Sequence, residues 1–482
     1  MKQLVFFITC FFCLQQSFGQ YTLVPDPNFE QALIDLGIDS EGVLDGQFLT
    51  TDAVGVSTLN IDEKNIFDLT GIEAFTDLNQ LFAHNNNLSN VDLSLLPETM
   101  WTLNLGHNNL NTIDLSPIPN IVNLYLGSNN FTQIDASNLT SLFIFHLSNQ
   151  NITNLNLTNC TNLFSLGCRN TALQSLDLST CQNLAFLACF DSQLTSLDFT
   201  GNLEIEEIRT YNNPLTSISL PNNPNLELLR VSNTLLTELD LTNCSGLMEV
   251  SFISTAINQI DFSSNSFIER IWGTDSQLAS LDITNNPNLI EVWCRNNNIS
   301  GTIDFSNNLQ LDDIDFSYNQ LEEIDLSQNS ALEWVFVDNN PNLQFVNMQN
   351  GYNENLFAFV GVDCPQLSCV VVDDPIAEND NIFVDDNTIL VGSPEDCNLA
   401  IDEAVLQQLI SMYPNPVKDV LHVNTQNSIA INSIQIFNIL GSVVYKTDHL
   451  DSLIDVSNLA SGLLFVKLET NKGVITKKVI KL

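Results

Sequence analysis

The 482-residue sequence predicts a mostly β chain: a stacked parallel-strand solenoid of about fourteen rungs, opened by a short helical cap and followed by a small antiparallel β-sandwich. Three observations carry that expectation. A motif recurs about every 21 residues between positions 56 and 348, and each copy contains an alternating L-x-L. The last seventy residues abandon the motif and change charge sign.

The first nineteen residues, MKQLVFFITCFFCLQQSFG, join a lysine, a short apolar run and small residues, the pattern of a cleaved secretory signal. No later apolar run approaches the roughly 20 residues of a membrane span. Next, PDPNFEQALIDLGID carries a helix signature: Asp26 as N-cap, Pro27 at the first turn, Phe29, Leu33 and Ile34 on one face, and Gly37 beyond the end. This helix is expected to cover the first rung.

One repeat, LNLGHNNLNTIDLSPIPN from Leu103 to Asn120, shows the frame. Alternation at Leu103 and Leu105 marks a strand, and one strand per constant period makes a parallel stack. Twenty-one residues leave no room for a return helix, so the return through Ile113-Asp114-Leu115-Ser116 is expected to be extended and turn, with a second short strand in places. Asn108 has polar counterparts in every rung, including Asn86, Gln150, Thr171, Ser192 and Asn297. A side chain able to hydrogen-bond at one fixed buried position serves turn backbone groups, which is structural work.

The repeat resembles the leucine-rich-repeat family, L-x-x-L-x-L-x-x-N-x-L, in its short bacterial form with an LxxLDLS return. The resemblance covers about three hundred residues and implies a right-handed curved solenoid whose concave parallel sheet holds ligands. On that sheet three residues per rung face solvent: one before the first inward position, one between the two, and one after the second. All five arginines fall there, Arg169, Arg209, Arg230, Arg270 and Arg295, as do Trp272, Trp293 and Trp334. Tyr125, His146, Phe186, Phe190, Tyr211 and Phe336 share these columns. Aromatic and guanidinium enrichment is the composition of binding hot spots, and flat rings suit sugar faces. The expected ligand surface is therefore Arg169, Phe190, Arg209, Tyr211, Arg230, Arg270, Trp272, Trp293, Arg295, Trp334 and Phe336. A second explanation stays open: Arg270 lies in one column between Glu249 and Glu291, so arginines also relieve repulsion within the sheet.

Between residues 20 and 411 six basic residues face 52 acidic ones, a charge of −46, whereas residues 412 to 482 carry +2. Such a body repels nucleic acid and anionic lipid. The aspartates of the I/L-D-L-S element form an acidic ladder, for which turn capping is a simpler account than calcium. Neither a nucleophile paired with a base, nor a phosphate loop, nor a spaced metal-ligand set is visible, so no enzyme, cofactor or metal site is expected. Nine cysteines follow the signal. Cys168, Cys189 and Cys294 replace an inward leucine and read as small core residues, while Cys160, Cys181 and Cys244 share a return-turn position.

After the repeats, CPQLSCVVVDDPIAENDNIFVDDNTILVGSPEDC is similar to the tails that close related bacterial arrays, which implies a Cys369 to Cys397 bridge with Cys364 left over. The final segment holds YPNP, a central NILG, DVSNLASG and a terminal KKVIKL. This set resembles the C-terminal sorting domain of the type IX (Por) secretion system, with Leu463-Leu464 where that family has a tyrosine. The resemblance implies export across the outer membrane by the type IX machinery. The organisation expected is a signal over 1–19, a cap over 20–55, the solenoid over 56–355, a C-terminal cap and linker over 356–405 and the sorting domain over 406–482. The function expected is a secreted or cell-surface binding or adhesion protein holding a glycan or protein ligand. The alternatives are a structural surface-layer component, or a part of an extracellular degradative system.

Overall fold

The computed structural model describes residues 20–376, 380–397, 407, 409–425, 431–447, 453–470 and 473–482, so the signal segment 1–19 lies outside the described residues. The chain divides into two compact units, Met1–Leu247 and Met248–Leu482.

The first unit opens with the helix Pro27–Asp35, capped by Asp26, whose Oδ1 accepts from the Asn28 and Phe29 amides. The other oxygen of Asp26 accepts from the amides of Phe67 and Asp68, fastening the cap to the repeat array. Glu30 is buried and its Oε1 collects the amides of Asp45 and Gly46 at 2.8 Å each, so backbone N–H groups replace the water its carboxyl loses on burial. Nine three-residue strands then stack in parallel, from Thr58–Asn60 to Leu228–Arg230. Registers are regular: Leu103 sits beside Leu124, Leu124 beside Phe145, and Leu166 beside Leu187. These central residues point inward and are fully or nearly fully buried. Their outward neighbours alternate with them because the strand period is two.

Each rung leaves its strand through a residue with positive φ: Glu63, Asn85, His107, Ser128, Asn149, Asn170, Asp191, Asn212 and Asn233 in this unit. Short polar side chains tolerate this left-handed conformation best, and most of these residues are Asn, Asp or Ser. The next residue is the buried ladder side chain. Asn108 donates to Ala83 O and Leu105 O and accepts from Leu88 N, stitching two rungs together. Secondary strands form on some returns, pairing Gln133–Asp135 with Asn154–Asn156 and Ser196–Asp198 with Ser217–Ser219.

In the second unit seven parallel strands run from Glu249–Ser251 to Ile382–Val384. The array continues past residue 355, because Ala358–Gly361 and Ile382–Val384 join the same sheet. These last rungs step by 23 or 24 residues, as Trp334 pairs with Ala358 and Phe359 with Ile382, which removes them from the 21-residue frame. Five return strands form a second parallel sheet, Ser300–Asp304, Gln320–Asp325, Phe345–Asn347, Cys369–Val371 and Ile389–Val391. Cys369 and Cys397 are disulfide-bonded at its end.

The C-terminal segment is two antiparallel sheets around one core. Ile410–Tyr413, Val420–Thr425 and Leu453–Asp455 form one, and Val443–Thr447, Ile431–Asn438, Gly462–Thr470 and Gly473–Lys481 the other. Leu421, Val423 and Ile454 from the first pack with Ile434, Ile436, Val466, Leu468 and Ile475 from the second. Alternate residues face inward, which is why a sequence of short alternating strands builds a sandwich.

Candidate ligand-binding face

In the first unit the outward residues form columns along the sheet. The middle column runs Asn104, Tyr125, His146, Gly167, Ala188, Arg209 and Arg230, in register from strand to strand. The following column runs His84, Gly106, Gly127, Ser148, Arg169, Phe190 and Tyr211. Glycine and alanine in the middle of both columns leave a depression of about 510 Å³, with His84, His107, Tyr125 and His146 toward one end and Arg169, Phe190 and Arg209 toward the other. The rings pack against one another. His84 and His107 meet edge to face at 4.8 Å, Tyr125 and His146 at 5.3 Å, and Phe190 stacks on Tyr211 at 4.4 Å. A β-carbon on Gly167 would stand 3.0 Å from His146 Cδ2, so the imidazole lies directly over that glycine. Burial and the nearby Arg169 charge hold the His146 imidazole below its ordinary value.

The arginines of this unit differ in their partners. Arg209 is ion-paired to Glu207 at 2.8 Å, with its buried Nε–H left without a partner among the described residues. No carboxylate of the described residues lies within ion-pair distance of Arg169, which is exposed. The sequence reading singled out Arg169, Phe190, Arg209, Tyr211 and Arg230, and all five face outward on this sheet. His84 and His107 were missed as site residues, although three of the chain's five histidines fall between positions 84 and 146. His107 lies one position beyond the outward set, at the left-handed turn. A second aromatic ladder lies to the side, where Phe143 stacks on Phe164 at 4.7 Å and Phe164 meets Phe186 at 5.1 Å.

In the second unit Trp272 and Trp293 are register partners and stack at 5.9 Å. Arg270 and Arg295 flank them in the columns on either side. Polar edges of this platform are largely satisfied internally. Trp272 Nε1 donates to Glu291 Oε1 at 2.9 Å, and Arg270 contacts Glu269 at 3.2 Å and Glu291 at 3.7 Å. Arg270 stands in register between Glu249 and Glu291, the charge-relieving arrangement the sequence left open. Burial raises the Glu291 and Asp313 carboxyls above their usual range. Arg295 lies over the Tyr318 ring, 4.5 Å from its centroid, and is exposed. Trp334 stacks on Phe357 at 5.3 Å and lies 6.1 Å from Phe336. Phe357, which the sequence reading passed over, is 59% exposed.

Residues 411–482 match the family described as the secretion system C-terminal sorting domain. Solved structures similar in fold include the functional domain of InlJ from Listeria monocytogenes, at TM-score 0.56 and 20% identity over 96% of this chain and 99% of that one. The leucine-rich-repeat protein LIC12759 of Leptospira interrogans matches at 0.51 and 16% over 75% and 95%, and the Listeria monocytogenes internalin InlF at 0.50 and 19% over 65% and 95%. The chain has the leucine-rich-repeat fold, and residues 411–482 form a type IX sorting domain. No curated protein sequence matches the chain. The sorting domain directs the leucine-rich-repeat protein through the type IX system to the cell surface or extracellular space. Among the described residues no helix is long and apolar enough to cross a membrane.

Two ladders of the leucine-rich repeats are structural. Asp92, Asp240 and Asp282 each accept from the amide and hydroxyl of the Ser or Thr two residues on, and these bonds hold their carboxyls below the usual range. Asn156 makes the same pair of bonds to Thr158, so the position requires an acceptor and not a charge. In the return turn the Cys160 thiol donates to Ala136 O at 3.2 Å, and Asn202 donates from the equivalent place to Leu178 O and Cys181 O. Cysteine and asparagine alternate there because both supply a donor to the preceding rung.

One cysteine expectation is corrected. Cys168 and Cys189 are joined in a disulfide and are not separate core residues. They hold the same inward position on adjacent in-register strands, which sets their Cα atoms 4.7 Å apart, within bridging range. Cys160, Cys181, Cys244, Cys294 and Cys364 are buried thiols outside both disulfides. Burial pushes the Cys160 and Cys294 thiols up to about 12.

Proposed function

We propose that this leucine-rich-repeat protein, once exported, binds a glycan or protein ligand on the outward face of its parallel sheet, as a secreted or surface-held binding or adhesion protein. One observation carries the reading. Exposed or half-buried aromatic rings and guanidinium groups are concentrated in the outward columns of an otherwise strongly acidic body, at Arg169, Phe190, Tyr211, Arg230, Trp272, Trp293, Arg295, Trp334 and Phe336. Rings with exposed faces and low side-chain entropy gain most when covered, and guanidinium forks add oriented donors. The pairing of Arg209 with Glu207 and of Arg270 with Glu291 favours a structural role for those two arginines. They are therefore weaker members of the surface than Arg169 and Arg295.

The test is binding of the exported chain to a glycan array and a panel of extracellular proteins, repeated with Trp293→Ala, Arg295→Ala and Arg230→Ala. A glycan ligand on the tryptophan platform quenches the fluorescence of Trp272 and Trp293, whereas a protein ligand binds without requiring that change. Binding unaltered in all three variants would remove the sheet face of the second unit and Arg230 from the function.

A further inference from the structure

Resting on the reading that the strand face holds a ligand, we infer that the groove of the first unit between His84 and Arg209 is a separate binding site for an acidic oligosaccharide whose sugar rings bear carboxylates. The cationic and imidazole groups that line it are Arg169, Arg209, His84, His107 and His146, and no carboxylate of the described residues lines it, in a body that carries 52 acidic residues against six basic ones between positions 20 and 411. Arg169 is the decisive group. In this field an exposed guanidinium draws a carboxylate partner at little cost, as Arg209 does with Glu207 at 2.8 Å, yet Arg169 has none among the described residues. Its neighbour on the groove floor is Gly167, over which His146 lies, so a carboxylate set against Arg169 also reaches an imidazole N–H. Arg209 also lines the groove but is already paired with Glu207. A guanidinium without a carboxylate partner among the described residues, beside an imidazole, is what an anionic ligand satisfies.

The shape of the groove selects the class of anion. Gly106, Gly127 and Gly167 bring the strands within reach of a flat ligand, and the Phe190–Tyr211 stack and Tyr125 offer aromatic surface at its two ends. Asn104, Ser128, Ser148 and Asn149 supply neutral hydroxyl and amide partners along it, as a polyhydroxylated ring requires. A uronate chain carries one carboxylate per sugar ring. Duplex nucleic acid or a run of acidic residues is more densely charged, and the body repels such ligands more strongly. The strands of the groove lie inside the sheet with their backbone groups paired to neighbours on both sides, so no sheet edge is offered for adding a peptide strand.

The experiment is calorimetric titration of the full chain with oligogalacturonate, with its methyl ester as the uncharged control and oligoglutamate as the acidic-peptide control. The expected result is saturable binding of the uronate and none of the ester. Arg169→Gln is expected to weaken binding at least about tenfold, in line with loss of a charge-assisted bond. Arg169→Lys should restore part of it, and Gly167→Val, which fills the floor, should abolish it. Trp293→Ala in the other unit should leave uronate binding unchanged, which separates this site from the tryptophan platform. The inference is overturned if uronate does not bind, if the ester or oligoglutamate binds as tightly, or if Arg169→Gln has no effect. Quenching of Trp272 and Trp293 by another polysaccharide in that case would leave the general reading of the strand face standing.

Discussion

Replacing Asn297 by alanine tests the hydrogen-bond ladder that holds the repeats. Its side-chain amide donates to Gly273 O at 2.8 Å and Cys294 O at 2.9 Å, and its Oδ1 accepts from Leu278 N at 2.9 Å. Cys294 O also accepts from Asn319 at 2.9 Å, so that carbonyl keeps a partner after the change. Gly273 O and Leu278 N–H do not. Each buried orphan costs about 1–3 kcal/mol, and a water admitted into the vacated space recovers part of it, so the expected loss is about 3 kcal/mol. Asn297→Gln should fall between the two, because Gln150 in the equivalent position keeps its donations to Leu126 O and Leu147 O while its Oε1 has no partner. Repeat arrays open locally, so the sensitive assay is hydrogen exchange at the Leu278 amide, which should quicken by roughly a hundredfold in Asn297→Ala. A Leu278 amide protected as in the parent chain would refute the assignment of the ladder as a stabilising device.

Other expectations follow from the same structure. Asn308→Cys should change stability by less than about 1 kcal/mol in chemical denaturation, since it removes an Oδ1 that has no partner and places a thiol where Cys160 already donates to a carbonyl. Cys369→Ser should lower stability by up to about 3.5 kcal/mol by releasing a loop of 28 residues, and reductant should then have a smaller further effect on that region than in the parent chain. Thr284 holds the folded carboxyl of Asp282 below its ordinary 3.8, so the stabilisation is complete above that value and is lost as pH falls through the lower folded one. The gap in denaturation midpoint between the parent chain and Asp282→Ala should therefore be widest at neutral pH and close in acid. Deleting residues 411–482 should stop export, with the protein recovered from the cell envelope and not from the surface or medium on fractionation.

The period of the sequence was enough to decide the direction of each residue. One strand per 21 residues forces neighbouring copies into register, so Leu103 and Ile271 had to be core and Arg270 and Trp272 had to face out, and the stacking of Trp272 on Trp293 follows from their one-rung separation. The C-terminal sandwich was legible because its turns and alternating strands are local signals, whereas its sorting role came from the resemblance of its motifs to a known family. Partnership was not legible, because it depends on where long side chains come to rest across several strands. Only the tertiary structure decided that Arg270 is engaged by Glu269 and Glu291 while Arg169 has no carboxylate partner among the described residues, and that Cys168 meets Cys189. The groove was hidden for a further reason: Gly106, Gly127 and Gly167 contribute by having no side chain, and an empty position becomes a site only when its neighbours His146 and Arg169 are set around it in space.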